Sequence, residues 1–164
     1  MSDFEIPPHG APIWRYWGPK LERGDVILSP LRDQMPVPTF SLDQNVPLSI
    51  FPTFGMGWLG APALLAHRDG CDFAHNFVDV SIHWIVVDQH IICHMRDDVG
   101  KLAVEIELSI CPKSDVLTSR VRLTNLGEGA LHVQHCAAAV LASAASCHQS
   151  ARFYRCAQSG VSSL

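Results

Sequence analysis

Two short segments bring metal-ligand chemistry close together, His90-Ile-Ile-Cys93-His94 and His132-Val-Gln-His135-Cys136. Imidazole nitrogen and thiolate sulfur are the donors that tetrahedral zinc takes, so two such segments on strands lying side by side would suit a zinc site. Strand alternation works against it, because His90 and His94 share one face while Cys93 takes the other, and His132 and Cys136 are separated from His135. The expectation is therefore polar sheet-face histidines and small core cysteines, with no metal and no cofactor. A Cys/His nucleophile pair meets the same objection, since no neighbour in either segment would lower a thiol pKa or form an oxyanion hole.

Paired carboxylates at the right separation can cleave a glycosidic bond. Glu105 and Glu107 are the candidates, with Asp97 and Asp98 in a turn before them. A hairpin centred near Lys113 sets Glu105 opposite Arg120, with Glu107 and Arg122 on the diagonals. Charge-paired or solvated carboxylates lack the raised pKa a general acid needs, so the expectation for all four is structural. Trp14, Tyr16, Trp17, Trp58 and Trp84 offer ring planes on which a pyranose could stack. Packing accounts for the others, while Trp58, set between Gly57 and Gly60, is expected at the surface. Gly55, Gly57 and Gly60 let the backbone around it turn sharply and approach a ligand.

The elements that must position these residues are strands. In Lys101 to Cys111, Leu102, Val104, Ile106, Leu108 and Ile110 fall at every second position, the period of a half-buried strand. Pro112-Lys-Ser-Asp115 supplies a turn, and Val116 to Thr124 alternates again, with Leu117, Val121 and Leu123 on one face. After Asn125–Gly129, residues Ala130 to Ala142 are expected to return as a third strand of the same antiparallel meander, with Leu131, Val133, Ala137 and Ala139 on one side. Upstream, Ile13–Trp17 reads as a short edge strand flanked by prolines and Ala63–His67 as a strand with Arg68-Asp-Gly70 as its turn. Val78–Val87 and Gln89–Met95 are two more strands, and Asp97–Gly100 turns the chain into the hairpin. Residues 25–52 carry five prolines and no sustained period, the pattern of a long ordered loop. No segment carries a convincing helical stripe, and Ala137–Ser146 is taken as extended. Seven or eight strands with short polar turns predict an all-β, antiparallel β-sandwich.

Composition narrows the partners. The 164 residues are 48% hydrophobic and only 17% charged, with a formal net charge of −4, so neither nucleic acid nor an anionic membrane is expected to bind. No apolar run approaches the ~18 residues of a membrane span, and Met1-Ser-Asp-Phe-Glu lacks the features of a signal peptide, which points to the cytoplasm. The six cysteines fit reduced core thiols better than disulfides there.

Several stretches are similar to a known family. Tyr16-Trp-Gly-Pro-Lys-Leu21, Val46-Pro-Leu-Ser-Ile50, Phe51-Pro-Thr-Phe-Gly-Met-Gly-Trp-Leu-Gly-Ala-Pro-Ala-Leu64 and Pro112-Lys-Ser-Asp-Val-Leu-Thr-Ser-Arg-Val-Arg-Leu-Thr-Asn125 resemble the N-terminal β-supersandwich domain of glycoside hydrolase family 36 α-galactosidases. The resemblance runs from about Ile13 to Gly160. The glycine-rich loop followed by the Ser-Asp-Val…Arg-Leu-Thr-Asn strand is its most specific part. It implies a galactose-mutarotase-like supersandwich, with residues 1–24 as an N-terminal edge segment and 25–164 as a partial domain. It also implies an enzyme that removes terminal α-linked galactose from oligosaccharides with retention, using two aspartates on a (β/α)₈ barrel that follows the sandwich.

That barrel is not in these 164 residues, and none of them matches either catalytic aspartate. The sandwich itself looks incomplete, because Tyr154–Gly160 resembles a strand from the middle of the family domain. In many family members the glycine-rich loop of one subunit reaches a neighbour's active site in a homo-oligomer. There an aspartate stands where this chain has Trp58, and an arginine where it has Gly60. What the resemblance leaves as substrate-binding positions is Gly55 and Gly57 by backbone and Trp58 by its ring, toward a galactose-containing oligosaccharide. The isolated chain is expected to be inactive. The competing expectations are a stand-alone sugar-binding sandwich and a zinc-binding β protein.

Overall fold

Alternation of apolar and polar residues is sharpest in the segment Leu102–Cys111, and it forms a central strand of the largest sheet. The computed structural model describes residues 2–5, 7, 10–17, 46–85, 90–111, 113–114 and 116–140. The loop expected over 25–52 lies outside them up to residue 45, as do residues 141–146 and 154–160, Cys147 and Cys156, and the side chains of Tyr16, Trp17 and Trp84. The elements are β1 (Ser2–Glu5), β2 (Ile13–Trp17), a 3₁₀ turn (Phe54–Met56), β3 (Leu64–His67), β4 (Asp79–Ile85), β5 (His90–Asp97), β6 (Leu102–Cys111), β7 (Val116–Asn125) and β8 (His132–Cys136). All pairings among the described residues are antiparallel: β1 with β2, β3 with β8, and β4-β5-β6-β7 as a four-stranded meander. The fold is all-β, as the strand pattern predicted.

The inward side chains of β5 and β6 form one half of the core. Cys93, Met95, Leu102, Val104, Ile106 and Leu108 are buried together with Ile50, Phe51, Ala63, Leu64, Ala66 and Phe77 from the segments opposite. Removing such side chains from water is what drives the two layers together. Phe51 meets Phe77 edge-on, with ring centroids 6.0 Å apart. Backbone bonds complete the layer facing the meander: Ala63 N–H donates to Pro52 O (2.7 Å), Ala137 N–H to Ala63 O (2.7 Å) and Val140 N–H to Ile50 O (2.8 Å). Trp14 is buried in the same cluster and its indole N–H donates to Val140 O at 3.0 Å.

Two expectations about strand pairing are corrected. In the β6–β7 hairpin, Glu105 faces Arg122 and Glu107 faces Arg120, not Glu105 with Arg120. Cys111 pairs with Val116, so the hairpin closes over the four positions between them and its centre falls between Lys113 and Ser114, one residue later than a Glu105–Arg120 pairing requires. That displaces every partner by two while keeping each side chain on its predicted face.

The segment after Asn125 does form a strand, but β8 leaves the meander and pairs with β3, with Leu64 opposite Cys136 and His67 opposite His132. Alternation specifies which face a strand buries but not which strand lies beside it. The link after β7 reaches across to the other layer, held by Asn125, whose side-chain amide donates to Gly129 O (2.9 Å) and whose Oδ1 accepts from Gly127 N (3.0 Å). Leu65 pairs with His135 and Ala66 with Val133, so Gln134 is an extra residue, a bulge that inverts the face pattern. Val133 is accordingly exposed, and only Ala137 and Ala139 of the expected row lie on the core with Leu131.

The two faces of the meander differ in what they contribute to stability. Ile106→Ala, which deletes a fully buried side chain, is expected to cost about 2–5 kcal/mol, and Arg122→Ala on the outer face less than about 1 kcal/mol, both measured by urea denaturation.

Candidate functional site

The glycine-rich loop is held from beneath and open at its tip. Thr53, 1% exposed, starts the 3₁₀ turn: its carbonyl accepts from Met56 N (3.2 Å) and Trp58 N (3.3 Å), and Gly57 N donates to Phe54 O (2.9 Å). Gly57 ends the turn at φ +84°, a left-handed conformation that a side chain would strain. Gly55 serves a different need. A Cβ there would collide with Ala74 O and His75 O, so the absent side chain is what lets the loop lie on the 74–75 backbone. Trp58 is partly buried, less open than its place between glycines suggested, with its indole N–H donating to Ala61 O at 3.2 Å. Leu59, 71% exposed, and Phe54, also exposed, complete an apolar tip.

Below the loop lies a contact that sequence reasoning missed. His75 and Asp97 are 2% and 4% exposed, and His75 Nδ1 lies 3.2 Å from Asp97 Oδ2. The same carboxylate accepts from Asn76 N (3.1 Å), Val99 N (3.0 Å) and Gly100 N (2.9 Å). Asp97 was expected in a solvated turn. It instead ends β5 on the inward phase of Cys93 and Met95, a parity that could have signalled its burial. His75 sits in a segment without periodicity and gave no such signal.

The outer face of the four-stranded sheet carries ionisable groups in cross-strand rows, whereas Asp97 points inward. Glu105 lies between His94 (3.4 Å) and Arg122 (3.1 Å), and Glu107 between His90 and Arg120 (3.5 Å). His90 Nε2 is 3.0 Å from Glu107 Oε1 but off the line of a hydrogen bond. These carboxylates are charge-paired, the arrangement expected of them, although with the partners exchanged. The two His/Cys segments do not lie side by side: β5 belongs to the meander and β8 to the sheet with β3. His132 stacks on His67, ring centroids 5.2 Å apart, and His135 is exposed. Among the described residues no three His, Cys, Asp or Glu side chains are grouped to hold a metal ion. Nor, among them, is any helix long and apolar enough to cross a membrane.

Residues 10–148 match the model of the glycosyl hydrolase family 36 N-terminal domain. The chain belongs to that family. Its sequence is also 31% identical, over 125 residues, to an Escherichia coli protein named alpha-galactosidase. That alignment covers 74% of this chain and 16% of the relative, so the chain corresponds to a small part of that protein. No solved structure matches.

The described cysteines of this family 36 domain divide by exposure. Cys93 is buried and Cys136 partly so, whereas Cys71 and Cys111 are exposed, which corrects the expectation of core thiols for those two. Cys71 closes the tight turn from Arg68, and Cys111 falls on the outward phase at the end of β6. Burial pushes the Cys93 thiol up to about 12 and that of Cys136 up to about 11 from 9.0. A thiol that holds its proton more tightly when folded supports the fold while both states are protonated; that support is lost as pH rises from 9 toward 12, because the unfolded chain ionises first. At pH 8 a maleimide is therefore expected to label Cys71 quickly and to spare Cys93 and Cys136 until the chain unfolds, as peptide mass mapping will show.

Proposed function

We propose that this chain is a non-catalytic N-terminal β-sandwich of an α-galactosidase, acting as scaffold and subunit contact, with Gly55, Gly57 and Trp58 forming one wall of a sugar site. The observation that carries the reading is the family match over residues 10–148, which includes the glycine-rich loop. The E. coli relative's name supplies the substrate class, an α-galactoside, which we take to be a galactose-containing oligosaccharide. Hydrolysis belongs to a catalytic barrel, since no residue here matches the family's catalytic aspartates. The apolar loop tip of Phe54, Trp58 and Leu59 suits both parts of the proposal. Its side chains can cover a neighbouring subunit in a homo-oligomer, and the indole face can stack on the C–H face of a galactose ring. A reducing, cytoplasmic setting fits the free thiols of Cys71, Cys93 and Cys136.

The purified 164-residue chain is expected to release no nitrophenol from p-nitrophenyl α-galactoside and to show little change in tryptophan fluorescence on titration with galactose. Turnover would overturn the non-catalytic assignment. A saturable fluorescence response lost in Trp58→Ala would replace the scaffold reading with that of a stand-alone sugar-binding sandwich.

A further inference from the structure

We infer that His75 is a positioning residue, the latch through which the four-stranded sheet holds the glycine-rich loop in place. Its two ends face the two structures it joins. On the loop side, the His75 carbonyl accepts the Thr53 hydroxyl at 2.6 Å, a buried bond, and Gly55 lies against the same carbonyl with no room for a Cβ. On the sheet side, the imidazole Nδ1 meets Asp97, which is itself fixed by the backbone N–H groups of Val99 and Gly100 at the β5–β6 turn. Gly100 is the counterpart of Gly55: a Cβ there would stand 2.5 Å from Asp97 Oδ2 and 2.7 Å from His75 Nδ1. One glycine thus gives way to the backbone of His75 and the other to its side chain.

Two further observations make the contact decisive rather than incidental. His75 Nε2 is buried without a hydrogen-bond partner among the described residues, so Asp97 gives the ring its polar anchor there, and losing that bond would leave both ring nitrogens unsatisfied in the interior. Among the same residues the loop tip has no comparable polar hold, its other anchor being the Met56 side chain packed against the core. Its hydrogen bonds from Met56, Gly57 and Trp58 return to Thr53 and Phe54 within the loop, and Trp58 bonds Ala61, also within it. The polar route from Trp58 to the sheet therefore passes through Thr53 and His75. The inference takes its functional meaning from the reading of the loop as a sugar-site wall, but its test does not depend on sugar.

The test is amide hydrogen exchange, read by mass spectrometry on the 164-residue chain, comparing peptides over residues 54–60 with peptides over β6. Thr53→Val removes the hydroxyl bond to His75 with little change of shape. His75→Leu fills the ring's space without a donor, and His75→Asn keeps a donor toward Asp97 but fills less space. Thr53→Val and His75→Leu are each expected to speed exchange in the loop roughly tenfold with β6 unchanged, and His75→Asn to stay closer to the parent chain than His75→Leu. If packing were the whole role, the order of Leu and Asn would reverse; that reversal, or an equal rise in the loop and β6, overturns the latch. Should His75→Leu not fold, Thr53→Val decides alone, an unchanged loop overturning the inference. A latch upheld here beside α-galactoside turnover or a Trp58-dependent galactose response in the isolated chain would separate the two claims: the loop held as described, with a different role.

Discussion

Four groups converge on one buried carboxylate. Asp97 accepts from the imidazole of His75 and from the backbone N–H groups of Asn76, Val99 and Gly100, all within 3.2 Å. A carboxylate taken out of water is tolerated only when its oxygens are met in this way. The β5–β6 turn, the extended segment before β4 and, through Thr53, the glycine-rich loop are thereby brought to one point. Arg68 tightens the same junction from the other layer. Its guanidinium donates to Gly100 O (2.5 Å), Lys101 O (3.1 Å) and the Asn125 side chain, tying the turn after β3 to both ends of the β6–β7 hairpin. The hydrophobic core supplies most of the attraction between the layers. These polar contacts fix which residues meet.

The outer face of the meander is organised on a different principle. Its rows of His, Glu and Arg side chains are solvent-accessible, and ion pairs at such exposure contribute little to stability. What they do supply is register. Each glutamate lies between a cation of β7 and an imidazole of β5, and a slip of the hairpin by two residues would keep the apolar side chains inward while misaligning the charges.

Much of the architecture was legible in the chain. The strict alternation over Leu102–Cys111 and Val116–Asn125 marked two strands and their faces, and the prolines around Ile13–Trp17 marked a short strand. The partner of β8 was not legible, because alternation carries no information about the neighbouring strand and the bulge at Gln134 disturbs the pattern itself. Hairpin register failed for a related reason: a four-residue turn and a tighter one differ in geometry, not in the residue types on either side. At the site, the glycines and Trp58 announced a loop with unusual backbone needs. The reason for Gly55 is a contact with residues 74–75, which lie far enough along the chain that only the folded molecule brings them together. His75 belongs to the same class, a single polar residue whose importance arises from burial.

The pairing of β3 with β8 also bears on how the molecule assembles. The meander β4 to β7 is made of neighbours in sequence, each hairpin closing a short loop. The β3–β8 ladder joins residues as distant as Leu64 and Cys136, with the whole meander between them. Closing so long a loop early would set a large entropic barrier before any contact offset it, whereas a formed meander brings the two ends near one another. Sequence order thus favours a hairpin-first route in which the second layer, and the glycine-rich loop that leads into β3, docks after the meander has formed.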